Sequence, residues 1–254
     1  MAQRIRIAAA GDVHAGEAHR ARIEAAFRSL DGAADLVLLA GDLTTHGDPE
    51  QARVLADACR GLAAPVVAVL GNHDLHQGRG DEVAQVLREG GVRMLDRAID
   101  ILDIAGLEVG VVGTKGFVGG FPGSSLPDFG EPLLRTVYAE TSEETAAIER
   151  GLQQITHCDL RIVLLHYAPI EETLEGEPLG IRTFLGSARL ATPIAEYQPD
   201  LVVHGHAHAG SFEGRIGETP VYNVAVHVTG RDFYVFELDV TPRRPEIEVE
   251  APPA

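Results

Sequence analysis

Several apolar runs in the chain end abruptly in a glycine followed by a polar residue that can bind metal. In "DLVLLAGD" and "PVVAVLGNHD" the apolar stretch leads directly to Asp42 and Asn72. Asp42 follows Asp12 by 30 residues, and Asn72 follows Asp42 by another 30. About 30 residues make one strand–helix–strand unit, so each repeat returns the chain to the same edge of a sheet. The pattern therefore predicts parallel strands with polar residues gathered at one edge.

The rest of the chain alternates between strand-like and helix-like segments. Continuous apolar runs separated by amphipathic helices predict parallel strands that are buried on both faces. Strands are predicted at 5–10, 35–40, 65–70, 161–166, 200–206, 219–226 and 232–240, with short strands around a Gly106 turn in 92–114. Helices are predicted at 17–30, 49–62, 142–157 and 187–197. The segments 115–132, rich in Gly and Pro, and 168–180, which is acidic, are predicted as long loops, and such loops are often functional.

The length of 254 residues suits one large domain or two small ones. Because no internal repeat or linker is present, we expect a single domain spanning 1–254, built from two βαβ-rich halves and ending in a frayed "APPA" tail. No apolar stretch reaches the ~18 to 20 residues that cross a bilayer. The first apolar run is also too short for a signal peptide. These features predict a cytoplasmic protein without a membrane partner.

The net charge is −17, and Lys115 is the only lysine. The resulting negative field opposes binding of an extended nucleic acid. An anionic substrate would therefore need local attraction, which bound cations would supply. The two cysteines, Cys59 and Cys158, lie far apart and have no CxxC partner, so we expect buried thiols and neither a zinc knuckle nor a disulfide.

Side chains that can bind metal follow five predicted strands. They are Asp12, His14, Asp42, Asn72, His73, His166, His206 and His208. In open α/β sheets, ligand sites form outside the carboxyl ends of the strands, so we expect these side chains to converge. Carboxylate and imidazole together suit Mn, Fe, Zn, Co or Ni. Two such ions ~3.5 to 4 Å apart can bind both the attacking and the leaving oxygen of a phosphoryl group.

Glycine precedes the polar residue at four of these strand ends. The four glycines are Gly11, Gly41, Gly71 and Gly205. A glycine lets the backbone turn sharply and approach a ligand closely. These positions therefore support a site built from the corners of the sheet.

The motifs resemble those of the calcineurin-like metallophosphoesterase superfamily. The resemblance rests on "GDVH" (11–14), "GDLTTHG" (41–47), "GNHD" (71–74), His166 after its strand, and "GHAH" (205–208), which occur in the order found in the family. It implies an α/β fold, a four-layer α/β/β/α sandwich in which two mixed sheets pack face to face between flanking helices.

The resemblance also implies a role for each strand-end residue. One metal ion would be held by Asp12, His14 and His208. The other would be held by Asn72, His166 and His206. Asp42 would bridge both ions, as would a water or hydroxide. The ions would be divalent or mixed-valence, Mn or Fe by preference, with Zn, Co or Ni compatible.

The implied reaction is in-line attack of a metal-bridging hydroxide on a phosphodiester or a small phosphomonoester. His73 would bind no metal; it would face the phosphate and stabilise charge or protonate the leaving oxygen. The sequence departs from the protein-phosphatase branch, because Thr45 and His46 stand where that branch has an acidic residue and an arginine. Phosphoprotein hydrolysis is therefore disfavoured. A nuclease of the same fold and a non-catalytic metal-binding scaffold are the alternatives.

Four nearby residues have open or structural interpretations. His46 could touch substrate or face solvent, and Asp74 could orient an imidazole or close its turn. His227 could flank the site, although a structural role is favoured. His204 lies inside its strand and is interpreted as structural. We expect substrate selectivity to reside in the loops 115–132 and 168–186, and the glutamates of the second disfavour a polyanionic substrate.

Overall fold

The computed structural model describes residues 2–243 of the protein. Two mixed β-sheets pack face to face, and helices cover the outer face of each. This is the four-layer α/β/β/α arrangement that the family resemblance implied. The predicted domain 1–254 extends beyond the described range, and its "APPA" tail lies outside it. Among residues 2–243, no helix is both long and apolar enough to span a membrane.

The first sheet takes four of its five strands from the amino-terminal part of the chain. Its strands in chain order are β1 (Gln3–Ala10), β2 (Leu36–Ala40), β3 (Val66–Val69), β4 (Arg93–Met94) and β13 (Tyr234–Val240). The strand order in the sheet is β13-β1-β2-β3-β4. Strands β1 to β4 are parallel, and β13 pairs antiparallel with β1. The outer face is covered by α1 (Arg20–Arg28), α2 (Pro49–Cys59) and α3 (Gly80–Glu89).

The second sheet has the strand order β11-β12-β10-β9-β6-β5. These strands are β5 (Ala98–Ile104), β6 (Leu107–Gly113), β9 (Leu160–Leu164), β10 (Leu201–His204), β11 (Glu213–Ile216) and β12 (Thr219–Asn223). Helices α4 (Pro132–Gln154) and α5 (Ala191–Tyr197) flank it. The chain also forms a small hairpin, β7 (Gly120–Phe121) with β8 (Ser124–Ser125), and the short helix α6 (Val226–Thr229). Within the described part of the chain, five short 3-10 helices lie in the connecting segments, at Glu17–His19, His73–Leu75, Glu172–Leu174, Leu179–Phe184 and Ala188–Leu190.

Alternating side chains explain why the central strands are apolar throughout. Along β2, Leu36 and Leu38 enter the core between the sheets, whereas Val37 and Leu39 pack under the helices. Both faces of the strand are therefore buried, as expected for parallel strands covered on two sides. The parallel register of β1, β2 and β3 brings the carboxyl ends of these strands to one edge of the sheet.

The structure corrects several predicted boundaries. The helix predicted at 142–157 is α4, which starts at Pro132, because proline is favoured at the first helical position. Helix α3 and strand β11 were not predicted, although Val83, Ala84 and Leu87 do form a buried helical face. The strand predicted at 219–226 ends at Asn223, and its last residue lies in α6. One apolar run spans both elements, so hydrophobicity could not locate the boundary.

Candidate metal centre

The predicted strand-end residues meet where the carboxyl ends of strands in the two sheets face each other. Asp12, Asp42 and Asn72 follow β1, β2 and β3 of the first sheet. His166 and His206 follow β9 and β10 of the second. The two sheets touch here: a Cβ built on Gly11 would lie 3.1 Å from Gly205 Cα. The topology therefore assembles one site from corners that are distant in sequence.

Two groups of side chains at this edge have spacings suited to a metal ion. The first group consists of Asp12, His14, Asp42 and His208. The second consists of Asp42, His166 and His206. Within each group, one ligand atom from every residue lies within 4.8 Å of the others. Asp42 belongs to both groups, which is the position that a bridging carboxylate would occupy.

Asn72 joins the second group through His166. The imidazole Nδ1 of His166 lies 2.9 Å from the carbonyl oxygen of Ala40. A carbonyl can only accept, so Nδ1 carries a proton, and in the singly protonated ring that a metal ion binds Nε2 would be an acceptor. Nε2 lies 2.9 Å from Asn72 Oδ1 and 3.3 Å from Asp42 Oδ1. Three acceptor atoms thus converge, and a cation between them would remove the conflict, so the residues present fit a metal ion.

Asp12 is held as a carboxylate at the first group. It is fully buried, and Oδ2 accepts a hydrogen bond from the His206 N–H at 2.9 Å. His208 Nε2 lies 2.9 Å from Oδ1. Burial acts to raise the pKa of Asp12, but the hydrogen bond from His208 and the nearby imidazoles lower it to about 2. The carboxylate is therefore available as an anionic ligand at neutral pH.

The histidines around Asp12 differ in their charge preference. Burial lowers the pKa of His206 to about 3 and also lowers that of His14, which favours the neutral rings that metal ions bind. The hydrogen bond to Asp12 instead raises the pKa of His208. Among the described residues, the buried Nδ1 of His14 has no hydrogen-bond partner. An unpaired buried nitrogen beside a carboxylate cluster is a further sign that a ligand is expected here.

Four of the predicted ligands have a left-handed backbone. The φ angles are 60° at Asp12, 47° at His14, 49° at Asp42 and 72° at His206. This region is uncommon for residues other than glycine, and such strain costs about 1–3 kcal/mol per residue. Strained residues gather at functional sites because the surrounding structure holds side chains there in a fixed direction.

Glycine at the corners gives the close approach that the sequence suggested. A Cβ built on Gly71 would lie 2.1 Å from Asp42 Oδ1, and one built on Gly41 would lie 2.4 Å from His166 Nδ1. Any side chain at these positions would displace a proposed ligand. The corner glycines therefore allow the ligands to pack against neighbouring backbone.

His73 lies beside the two groups and belongs to neither. Its backbone N–H donates to Asp42 Oδ1 at 2.8 Å, and Nδ1 lies 2.8 Å from the carbonyl oxygen of Thr45. That carbonyl places a proton on Nδ1. Nε2 of His73 is then the reactive nitrogen, and it lies 3.9 Å from Asp42 Oδ2. The His73 side chain is 37% exposed. The geometry leaves Nε2 accessible to a ligand at the centre.

Asp74 closes turns and does not orient an imidazole. Its fully buried carboxylate accepts hydrogen bonds from the N–H groups of Leu43 (3.1 Å), Thr44 (2.8 Å) and Gly71 (2.8 Å). The Thr44 hydroxyl donates a fourth at 2.7 Å. Asp74 thereby ties the corner that carries Asp42 to the corner that carries Asn72.

The structure also places the remaining histidines. His204 is fully buried, with Nδ1 2.8 Å from Gly205 O and Nε2 2.9 Å from Thr173 Oγ1, which confirms its structural interpretation. His46 is exposed, in agreement with the solvent-facing alternative. His227 flanks the site, because its ring stacks on that of His208 with centroids 4.2 Å apart. The favoured structural interpretation of His227 therefore gives way to the flanking one.

Sequence reasoning missed Tyr167, which is buried against two proposed ligands. Its ring centroid lies 4.4 Å from that of His206 and 5.4 Å from that of His166. Burial raises the pKa of its hydroxyl, so the group stays protonated. The available signal was its position directly after His166 at a strand end.

The sequence model of the calcineurin-like phosphoesterase family matches residues 5–210, which include all the proposed ligands. The chain belongs to the calcineurin-like phosphoesterase family. Membership and the Asp/His groups at the centre together make it a metal-dependent phosphoester hydrolase. No curated protein shows a significant sequence match to this calcineurin-like phosphoesterase.

Solved structures share the fold of this calcineurin-like phosphoesterase. Phosphopantetheinyl hydrolase from Mycobacterium tuberculosis matches with a TM-score of 0.67 and 17% identity, over 97% of this chain and 98% of that one. TT1561 from Thermus thermophilus matches with a TM-score of 0.54 and 18% identity, over 87% and 89% of the two chains. GAP50, the anchor in the inner membrane complex of Plasmodium, matches with a TM-score of 0.57 and 14% identity, over 88% and 72%. At these identities the likeness concerns the fold.

Proposed function

We propose that the protein is a dinuclear metal-dependent phosphoesterase that hydrolyses a phosphodiester or a small phosphomonoester. The observation that carries this proposal is the position of Asp42 in both groups of potential ligands. A carboxylate has two oxygens, so one side chain can contact two ions. Family membership supports the reaction class.

The proposed ligands divide between two ions around Asp42. Asp12, His14 and His208 would hold one ion, and Asn72, His166 and His206 would hold the other. Mn or Fe is proposed, and Zn, Co and Ni suit the same nitrogen and oxygen donors. When bound, the ions would supply Lewis-acid stabilisation of the phosphoryl oxygens and activate water near neutral pH.

The chain itself supplies a proton donor and a clamp for it. The Thr45 carbonyl fixes the proton of neutral His73 on Nδ1, so a second proton on Nε2 would be the one that reaches the leaving oxygen. The backbone N–H of His73 donates to Asp42 and fixes the His73 backbone beside the centre, while the Nδ1 contact to the Thr45 carbonyl fixes the ring. A general acid in this position contributes ~10²- to 10⁴-fold to the rate.

A small substrate is proposed because the charge of the chain opposes long polyanions. The net charge of −17 and the glutamates of the segment 168–186 repel an extended nucleic-acid backbone. A nuclease activity is therefore the weaker alternative. A cytoplasmic location and the lack of a membrane partner stay predictions from the sequence.

The test uses protein purified with Mn and three substrates: bis(4-nitrophenyl) phosphate, 4-nitrophenyl phosphate and single-stranded DNA. We expect hydrolysis of at least one nitrophenyl ester and none of the DNA. A DNA preference would support the nuclease. Absence of hydrolysis with Mn, Fe, Zn, Co or Ni would overturn the enzymatic proposal in favour of a scaffold.

The role of His73 is tested with His73→Ala, with the exposed His157→Ala as a matched control. His73→Ala should lower kcat on esters with alkoxide leaving groups by ~10²-fold or more while retaining the metal content. Esters of nitrophenol need little protonation, so their turnover should fall much less. An equal collapse on both ester types would contradict the general-acid role.

A further inference from the structure

A cavity of about 150 Å³ opens directly beside the proposed metal centre. Asp12 and His14 line it from the centre, and α1 lines it from the opposite side. The remaining wall comes from the segment 226–233, which includes α6. Two proposed ligands are thus shared between the centre and the cavity, so the cavity offers space directly beside a molecule bound at the centre.

The far end of the cavity is apolar and aromatic. Phe27 and Phe233 meet edge to face, with ring centroids 5.1 Å apart and planes at 88°. Ile23 and Ala26 on the same helix also line the space. Phe27, Ile23 and Ala26 are almost fully buried in the core under the first sheet. This part of the cavity lining is therefore apolar and is held in place by the core.

The mouth of the cavity is polar. His227 lines it and stacks on His208 with ring planes 15° apart. Arg22 and Asp232 form an ion pair with an N–O distance of 2.7 Å, and their side chains are 63% and 44% exposed. The space thus runs from a charged mouth and a metal-type centre to an apolar end, which suits a group with a flat apolar body and polar edges.

We propose that this cavity binds an aromatic or heteroaromatic ring of the ester substrate while the phosphoryl group occupies the centre. This inference rests on the proposed function and names its substrate class as an aryl or heteroaryl phosphoester. Apolar cavities of about 150 Å³ in other proteins bind benzene. The present cavity has a similar volume, so it has room for one ring. The half-buried ring of Phe233, held in place by Phe27, provides an aromatic contact of the kind that such a ring prefers.

The first test compares phenylphosphonate with methylphosphonate as ligands of the Mn-loaded wild-type protein, by calorimetry. Both probes carry the same phosphonate head, so the ratio of their dissociation constants isolates the contribution of the ring. Burying a ring should make phenylphosphonate bind about tenfold tighter or more. Equal affinities for the two probes would overturn the proposal.

The second test reduces the cavity from α1 without touching a proposed ligand. Ala26→Leu places a larger side chain in the cavity, and the exposed Ala25→Leu is its matched control on the same helix. Ala26→Leu should bring the phenyl-to-methyl affinity ratio to within about twofold of unity while methylphosphonate still binds. Ala25→Leu should keep the wild-type ratio. An unchanged ratio in Ala26→Leu would overturn the assignment of the ring to this cavity.

Phe233→Leu provides a second variant if Ala26→Leu fails to fold. It keeps an apolar wall but removes the aromatic edge, so the affinity ratio should fall several-fold below that of the wild type. Failure of the proposed function is distinguishable, because phosphonate binding needs no hydrolysis. Hydrolysis of nitrophenyl esters together with equal phosphonate affinities would exclude the cavity assignment and leave the phosphoesterase intact. Tighter binding of phenylphosphonate without any hydrolysis would support the cavity assignment and overturn the phosphoesterase proposal.

Discussion

Replacing Asp74 by alanine is expected to destabilise the protein by about 3 kcal/mol or more. The carboxylate accepts the backbone N–H groups of Leu43, Thr44 and Gly71, all of which lie in the buried interior. A buried donor left without a partner costs about 1–3 kcal/mol. Three such donors therefore set a lower estimate of about 3 kcal/mol.

A second aspartate provides the matched control. Asp48 caps α2 by accepting the Glu50 N–H at 3.0 Å, and its side chain is 39% exposed. Loss of such a cap costs about 1 kcal/mol. In a chain of this size 1 kcal/mol corresponds to a Tm change of about 2–4 °C, so we expect losses of about 6–12 °C for Asp74→Ala and about 2–4 °C for Asp48→Ala.

The assay is urea and thermal unfolding followed by circular dichroism in a chelator, so that metal binding does not contribute to stability. Metal content is then measured after dialysis against Mn. Because Asp74 joins the corners that carry Asp42 and Asn72, the variant should also lose Mn that Asp48→Ala retains. Equal destabilisation by the two substitutions would refute the reasoning that Asp74 holds three buried donors.

Two substitutions and one labelling experiment test the rest of the site and the core. Gly71→Ala should lose metal and lower activity at least ~10-fold, since a Cβ would lie 2.1 Å from Asp42 Oδ1. Gly180→Ala is the control, because a Cβ there meets no atom within 4 Å. Equal metal content in the two variants would show that a side chain at position 71 does not displace Asp42. Asp42→Ala should lose both ions by elemental analysis, because Asp42 belongs to both groups, and a retained metal pair would exclude the bridge. The thiols of Cys59 and Cys158 should resist iodoacetamide at about pH 8.5 until urea is added, because both are buried. Burial also raises the pKa of Cys59 to about 12. Rapid labelling of the native protein would contradict the burial of these thiols.

The central strands and their corners could be predicted from the sequence because they depend on local chemistry. A strand buried on both faces is apolar throughout, so the runs "LVLLA" and "VVAV" can be predicted as central strands from the sequence. The polar residue after the glycine then marks the strand end. Helix boundaries were harder, as α4 shows, because its first turns are exposed and carry little hydrophobic signal.

The sequence by itself determined that Asp12, Asp42 and Asn72 lie at one edge, since parallel strands that recur about every 30 residues end on the same side of a sheet. Only the tertiary structure decided how those residues act on one another. Whether Asp74 faces an imidazole or backbone N–H groups depends on how the turns after β2 and β3 pack together, and whether His227 reaches His208 depends on how α6 packs beside the turn after β10. Tertiary packing also creates the cavity between α1 and α6, because its walls come from residues about 200 positions apart, and no local pattern predicts such a contact.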